Sequence, residues 1–127
     1  MSAQASPALI FDLDGTLIDS VYQHVLAWHE ALDQEGLSLA VWQIHRRIGM
    51  SGGLLVQALV REVGHEVSNE LANALQKKHA QIYARYRRSV RPLPGATEIL
   101  RHLRQSGIPH AIATSGEPAK DDPAVLA

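Results

Sequence analysis

The stretch Phe11-Asp12-Leu13-Asp14-Gly15-Thr16-Leu17 decides how this 127-residue chain is read. Just before it, Ala8 to Asp12 is a short apolar run ending on a carboxylate, the pattern of a buried parallel strand that opens into a loop at its C-terminal end. Open α/β sheets place their ligands at that edge. Asp12 and Asp14 are two apart, so in extended geometry both carboxylates project to the same side. Two carboxylates that close suppress each other's ionisation, which suits one as a charged nucleophile and the other as a proton donor. Gly15 lets the loop turn away at little steric cost and leaves the pair exposed.

A calcium loop is the rival reading, but it needs glycine at loop position 6 and glutamate at position 12. Counted from Asp12, position 4 is Gly15, position 6 is Leu17 and position 12 is Gln23, so that reading fails. Chance would produce Asp-x-Asp-Gly-Thr in a chain this long about once in a thousand sequences.

Beyond the motif the hydrophobic period changes. Val25, Trp28, His29 and Leu32 fall at helical spacing after Tyr22, and Gly36 offers a stop, predicting a helix of about three turns. Leu54, Leu55, Ala58, Leu59 and Val63 repeat the signature up to Gly64, and Leu71, Leu75, His79, Ile82 and Tyr86 repeat it over a longer span. Residues 21–91 therefore read as all-helical. Pro92, Pro94 and Gly95 break the pattern; Ala96, Ile99, Leu100 and Leu103 predict one more helix, with Gly107 as its C-cap. Ile108 to Thr114 is a second strand, ending on Thr114-Ser115-Gly116 and parallel to the first because a helical crossover delivers it. The expected organisation is a core segment 1–20, a helical insert 21–91 and a returning core segment 92–127. Two strands are fewer than a stable sheet needs. Asp122-Pro123 also reads as a helix start with four residues left, so a fragment of a larger α/β protein is expected.

Composition narrows the function classes. Twelve Lys and Arg against 13 Asp and Glu give a net charge of -1, with no field to attract nucleic acid or an anionic membrane, so a small-molecule partner is expected. Without cysteine there is neither a disulfide framework nor a thiolate metal site. Met1 to Pro7 lacks a signal peptide's basic start and apolar run, and no apolar stretch reaches the roughly 20 residues that span a bilayer. A cytoplasmic protein is the expectation.

With these motifs in place, the chain resembles the haloacid dehalogenase (HAD) superfamily, in its branch of small phosphatases and phosphomutases with a helical cap after the first strand. The resemblance rests on Phe-Asp-Leu-Asp-Gly-Thr-Leu-Ile-Asp-Ser at 11–20, the helical insert, Leu-Pro-Gly at 93–95 and Ile-Ala-Thr-Ser-Gly at 112–116. It implies an α/β fold, a Rossmann-type parallel sheet with an inserted all-helical cap, here ending after the second core strand. It implies that Asp12 attacks phosphorus to form an aspartyl-phosphate while Asp14 handles protons. Magnesium would be held by the Asp12 carboxylate and the Asp14 backbone carbonyl, and Thr114 and Ser115 would bind phosphate. In the cap, His24 matches a histidine that faces the active site in related mutases and sugar phosphatases, and a structural histidine stays open as the alternative. Arg46, Arg47 and Gly49-Met50-Ser51-Gly52-Gly53 are similar to a cap loop that meets the non-phosphate end of the substrate, with a solvated face as the alternative. The other histidines read as structural, and Trp28 and Trp42 as cap core.

Two family motifs have no counterpart: a lysine or arginine that neutralises the phosphate, and acidic residues that complete the magnesium site. Lys120 stands too near the second strand to be equated with that lysine, and Asp121-Asp122 lack the strand context of the acidic residues. The resemblance thus implies a phosphatase of small organic phosphates, phosphoglycolate or a sugar phosphate, with little activity in this polypeptide alone. A β-phosphoglucomutase-like mutase is the alternative enzyme, and a non-catalytic fragment or assembly partner the alternative of another class. Dehalogenation needs no acid at position 14, and phosphonate cleavage needs a cap lysine that is missing beside Gly52 and Gly53.

Overall fold

The computed structural model describes residues 7–116. In chain order these form β1 (Leu9–Phe11), α1 (Val21–Gln34), α2 (Val41–His45), α3 (Gly52–Glu62), α4 (Asn69–Tyr86), a 3-10 turn (Arg87–Ser89), α5 (Ala96–Gln105) and β2 (His110–Ile112). They fall into two compact units: one holds residues 7–19 and 91–116, the other is Ser20–Val90. The helix start expected at Asp122-Pro123, together with Lys120 and Asp121, lies outside the described residues. Among the described residues, no helix is long and apolar enough to cross a membrane.

In the first unit β1 and β2 pair in parallel, with Leu9 opposite His110, Ile10 opposite Ala111 and Phe11 opposite Ile112. The crossover between them is α5, which buries Ala96, Leu100 and Leu103 and exposes its arginines. Gly107 ends it in the left-handed region at φ 65°, where its amide reaches the Arg104 carbonyl at 3.2 Å and that of Ile108 reaches Leu103 at 3.0 Å. One expectation needs correcting: β1 is not a buried strand. Ile10 is 74% exposed and its neighbours are half-buried, because alternate side chains of a two-stranded sheet face opposite ways and one face lies open among the described residues.

The second unit is helical throughout. Its core takes Val25, Trp28 and Leu32 from α1, Leu55 and Leu59 from α3, and Leu75 and Ile82 from α4. The 3.6-residue spacing that predicted these helices is the spacing that brings one side of each into the core. Helix α1 runs for 14 residues, about a turn longer than its spacing predicted. The five-residue α2 has too few positions for a period to show, and the sequence reading missed it. Trp42, expected in the core, is 63% exposed: Ile44 takes the inward position of α2, and Trp42 instead lies under the Arg46 guanidinium, 5.2 Å from its ring centre.

Candidate functional site

The segment after β1 folds into a tight loop held by backbone bonds. The Leu13 carbonyl accepts from the amides of Thr16 (3.2 Å), Leu17 (2.9 Å) and Ile18 (3.2 Å), and Gly15, at φ 73°, donates to the Ile18 carbonyl at 2.9 Å. Three apolar side chains anchor it: Leu13, Leu17 and Ile18 are almost fully buried. The residues between them stay outside, with Asp12, Gly15 and Thr16 exposed and Asp14 half-buried. Burial of Leu13 therefore fixes which way the loop faces and leaves the carboxylates that flank it toward solvent. Asp12 accepts one hydrogen bond in this arrangement, from the Thr16 hydroxyl to Oδ2 at 3.3 Å.

The second strand brings its end to the same edge. The Ala113 amide donates to the Phe11 carbonyl at 2.8 Å, which continues the parallel register by one step and sets Ala113 beside Asp12. Neighbouring strands lie about 4.8 Å apart, so Thr114 and Ser115 leave the sheet next to the point where Asp12 does. Thr114 is half-buried and its hydroxyl accepts from the Gly116 amide at 3.1 Å, which fixes the turn; Ser115 is exposed. Thus Asp12, Asp14, Thr114 and Ser115, picked out separately along the sequence, meet at one edge of one unit.

The other three singled-out residues belong to the helical unit, where His24 and Arg47 are engaged with side chains of the same unit. His24 Nδ1 lies 3.1 Å from His79 Nε2, and the His24 ring stacks on Tyr83 at 3.9 Å between centres. His79 in turn stacks on Trp28 at 4.1 Å, so His24 is part of the α1–α4 packing. Arg47 and Arg46 both bond to the Glu62 carboxylate, which also accepts from Gln43 Nε2 at 3.2 Å. Partial burial of Glu62 works to raise its pKa, but the Arg46 hydrogen bond and charge, with help from Gln43 and Arg47, hold it below its ordinary value. Ser51 sits at the N-terminal cap of α3 without a capping bond from its side chain. Sequence reasoning missed Glu62 as the partner of both arginines, which nothing marks locally, and Thr16 as the partner of Asp12, whose place in the motif could have signalled it, while His79 is structural as it was read.

Metal ligation can be judged from the donors in the Asp12–Ile18 loop. Among the described residues no group of three or more His, Cys, Asp or Glu is arranged to hold a metal ion. What the loop offers is hard oxygen, the Asp12 carboxylate and backbone carbonyls such as that of Asp14. That set is right in kind for Mg2+, which takes one or two carboxylates and completes its shell with water and substrate phosphate.

A family model described as a haloacid dehalogenase-like hydrolase matches residues 7–127. Phosphoglycolate phosphatase of Rhodobacter capsulatus is 35% identical over 114 residues, covering 87% of this chain and 51% of that protein. Hexitol phosphatase A of Escherichia coli (strain K12) is 34% identical over 111 residues, covering 84% and 47%. The crystal structure of a hydrolase from Pseudomonas syringae matches with a TM-score of 0.85 at 50% identity, covering 95% of this chain and 56% of that one. The chain spans about half the length of the curated relatives it matches.

Proposed function

Because the chain belongs to the haloacid dehalogenase-like hydrolase family, we propose that the whole protein is a phosphatase of small organic phosphates, with phosphoglycolate or a sugar or polyol phosphate as substrate. The observation that carries this reading is the exposed Asp12, held at the end of β1 beside Asp14 and next to the Thr114 turn. The names of the relatives, a phosphoglycolate phosphatase and a hexitol phosphatase, support the substrate class.

In this reading an Asp12 carboxylate oxygen attacks phosphorus in line, the bond from phosphorus to the ester oxygen breaks, and Asp14 protonates the departing alkoxide. Asp14, now ionised, takes a proton from water as that water's oxygen attacks phosphorus, returning the Asp12 carboxylate and releasing inorganic phosphate. In the same reading the Ser115 amide and Thr114 hydroxyl bind phosphate oxygens as charge builds on them. Bound at the Asp12 carboxylate and Asp14 carbonyl, Mg2+ would neutralise charge on the transferring group. These two ligands are few, so hydrolysis by the 127 residues alone is expected to be slow. We assign substrate choice to the helical unit as a cap, with His24, Arg47 and Ser51 as its candidate contacts.

The test is release of inorganic phosphate from phosphoglycolate, hexitol phosphates and a generic aryl phosphate, with Asp12→Asn alongside. Removing the nucleophile should lower turnover on the order of a thousandfold or more. Wild-type turnover in that variant would overturn the mechanism. Conversion of a sugar 1-phosphate to its 6-phosphate without phosphate release would replace the phosphatase by a mutase.

A further inference from the structure

Asp12 has two carboxylate oxygens, and only one can attack phosphorus at a time. A carboxylate at the end of a strand, exposed and unsupported, rotates about its terminal bond and spends much of its time presenting neither oxygen along the attack line. In this loop the rotation is opposed. The Thr16 hydroxyl donates to Oδ2 at 3.3 Å, and among the described residues this is the hydrogen bond that Asp12 makes through its side chain. Thr16 is itself held, because its amide bonds to the Leu13 carbonyl and the residues on either side are fixed by Gly15 to Ile18 and Leu17 to Leu13 bonds. The donor thus belongs to the most heavily bonded part of the loop, four residues from the group it holds.

We propose that Thr16 is a positioning residue for the Asp12 nucleophile: its hydroxyl pins Oδ2 and so sets Oδ1 as the attacking oxygen. This rests on the reading of Asp12 as nucleophile given above and adds a role to the residue that bonds to it. A bond to one oxygen of the carboxylate acts on the orientation of the attacking group. The effect belongs in kcat, with KM little changed. An exposed bond of this length contributes modestly, so loss of the hydroxyl should lower kcat about three- to tenfold.

The experiment compares Thr16→Val, which keeps the branched shape and loses the hydroxyl, with Thr16→Ser, which restores it. Both are assayed in the full chain with a generic aryl phosphate, and melting curves establish that each is folded. Expected are a fall in kcat for T16V at nearly constant KM and recovery of most of the rate in T16S. Wild-type kcat in T16V overturns the proposal, as does an equal loss in T16S, which would make the role one of shape. Asp12→Asn separates the two layers. If D12N is inactive while T16V is unimpaired, only the role of Thr16 falls; if D12N turns over normally, the nucleophile assignment falls with it.

Discussion

Leu13 stands between the two carboxylates and is 3% exposed, so replacing it by alanine tests whether burial is what aims the loop. The change removes three carbons, worth about 0.8 kcal/mol each, or roughly 2.4 kcal/mol in transfer free energy. A residual cavity on the order of 50 Å3 adds about 1 kcal/mol at ~24 cal/mol per Å3. The expected cost is therefore about 3 to 4 kcal/mol to the unit that holds β1, α5 and β2. The assay has to see that unit, and intrinsic fluorescence does not: both tryptophans and all three tyrosines lie within Ser20–Val90. Amide hydrogen exchange does. The Leu17 amide bonds to Leu13, that of Leu93 to Leu17 and that of Ala113 to Phe11, so all three report the unit's opening. A cost of that size speeds their exchange by a few hundredfold, at about tenfold per 1.4 kcal/mol. Leu13→Met, close in volume, should cost less than about 1.5 kcal/mol. Acceleration below about fivefold in Leu13→Ala, equivalent to under about 1 kcal/mol, would refute the claim that this side chain anchors the loop.

The helical unit gives two further predictions. Trp28→Ala removes a buried ring stacked on His79 and should cost about 3 to 5 kcal/mol in urea denaturation, whereas Trp42→Ala, on a ring 63% exposed, should cost less than about 1 kcal/mol. Equal costs would contradict the inward assignment of Ile44 over Trp42. Glu62 has its folded-state pKa depressed below the ordinary value of about 4.5, so its contribution to stability is present above that value and lost as pH falls through the folded pKa. Glu62→Gln should flatten the part of the stability profile below pH 4.5 and leave Arg46 and Arg47 without a counterion at neutral pH, and an unchanged acid limb would sink the assignment.

The parts legible in the sequence were those set by local geometry. The order of strand, helices and strand followed from a change of hydrophobic period around Tyr22 and again after Pro92, because period reports which side of an element is wet. The Asp12 and Thr114 turns were legible for the same reason, since each follows an apolar run that a parallel sheet must end. What stayed hidden was pairing across distance. Glu62 meets Arg46 and Arg47 from another helix, and His79 meets His24 from 55 residues away. Trp42 was misplaced because a large aromatic is usually buried, and a helix of five residues has no period to say otherwise. The burial of β1 was overread because an apolar run specifies which residues prefer to be covered and does not itself supply the cover.

The residues that lead into and out of the helical unit are bonded to each other. The Asp19 amide bonds to the Arg91 carbonyl at 2.8 Å, Ile18 pairs antiparallel with Pro92, and the Leu93 amide bonds to Leu17 at 2.9 Å. The two ends of the insert are thus tied together inside the unit that carries Asp12, immediately after the loop that aims it. Closing a longer or shorter insert across fixed ends costs only about 0.6 kcal/mol per doubling of its length. The helical unit meanwhile brings its own core, centred on Trp28, Leu59 and Leu75. The bonds that tie the ends of the insert together are backbone bonds, which side-chain substitutions other than to proline leave in place. On the proposed reading, chemistry and choice of substrate fall to different units. The motif around Asp12 is read within one loop, whereas Arg47 and His24 meet partners, Glu62 and His79, that lie far from them in sequence.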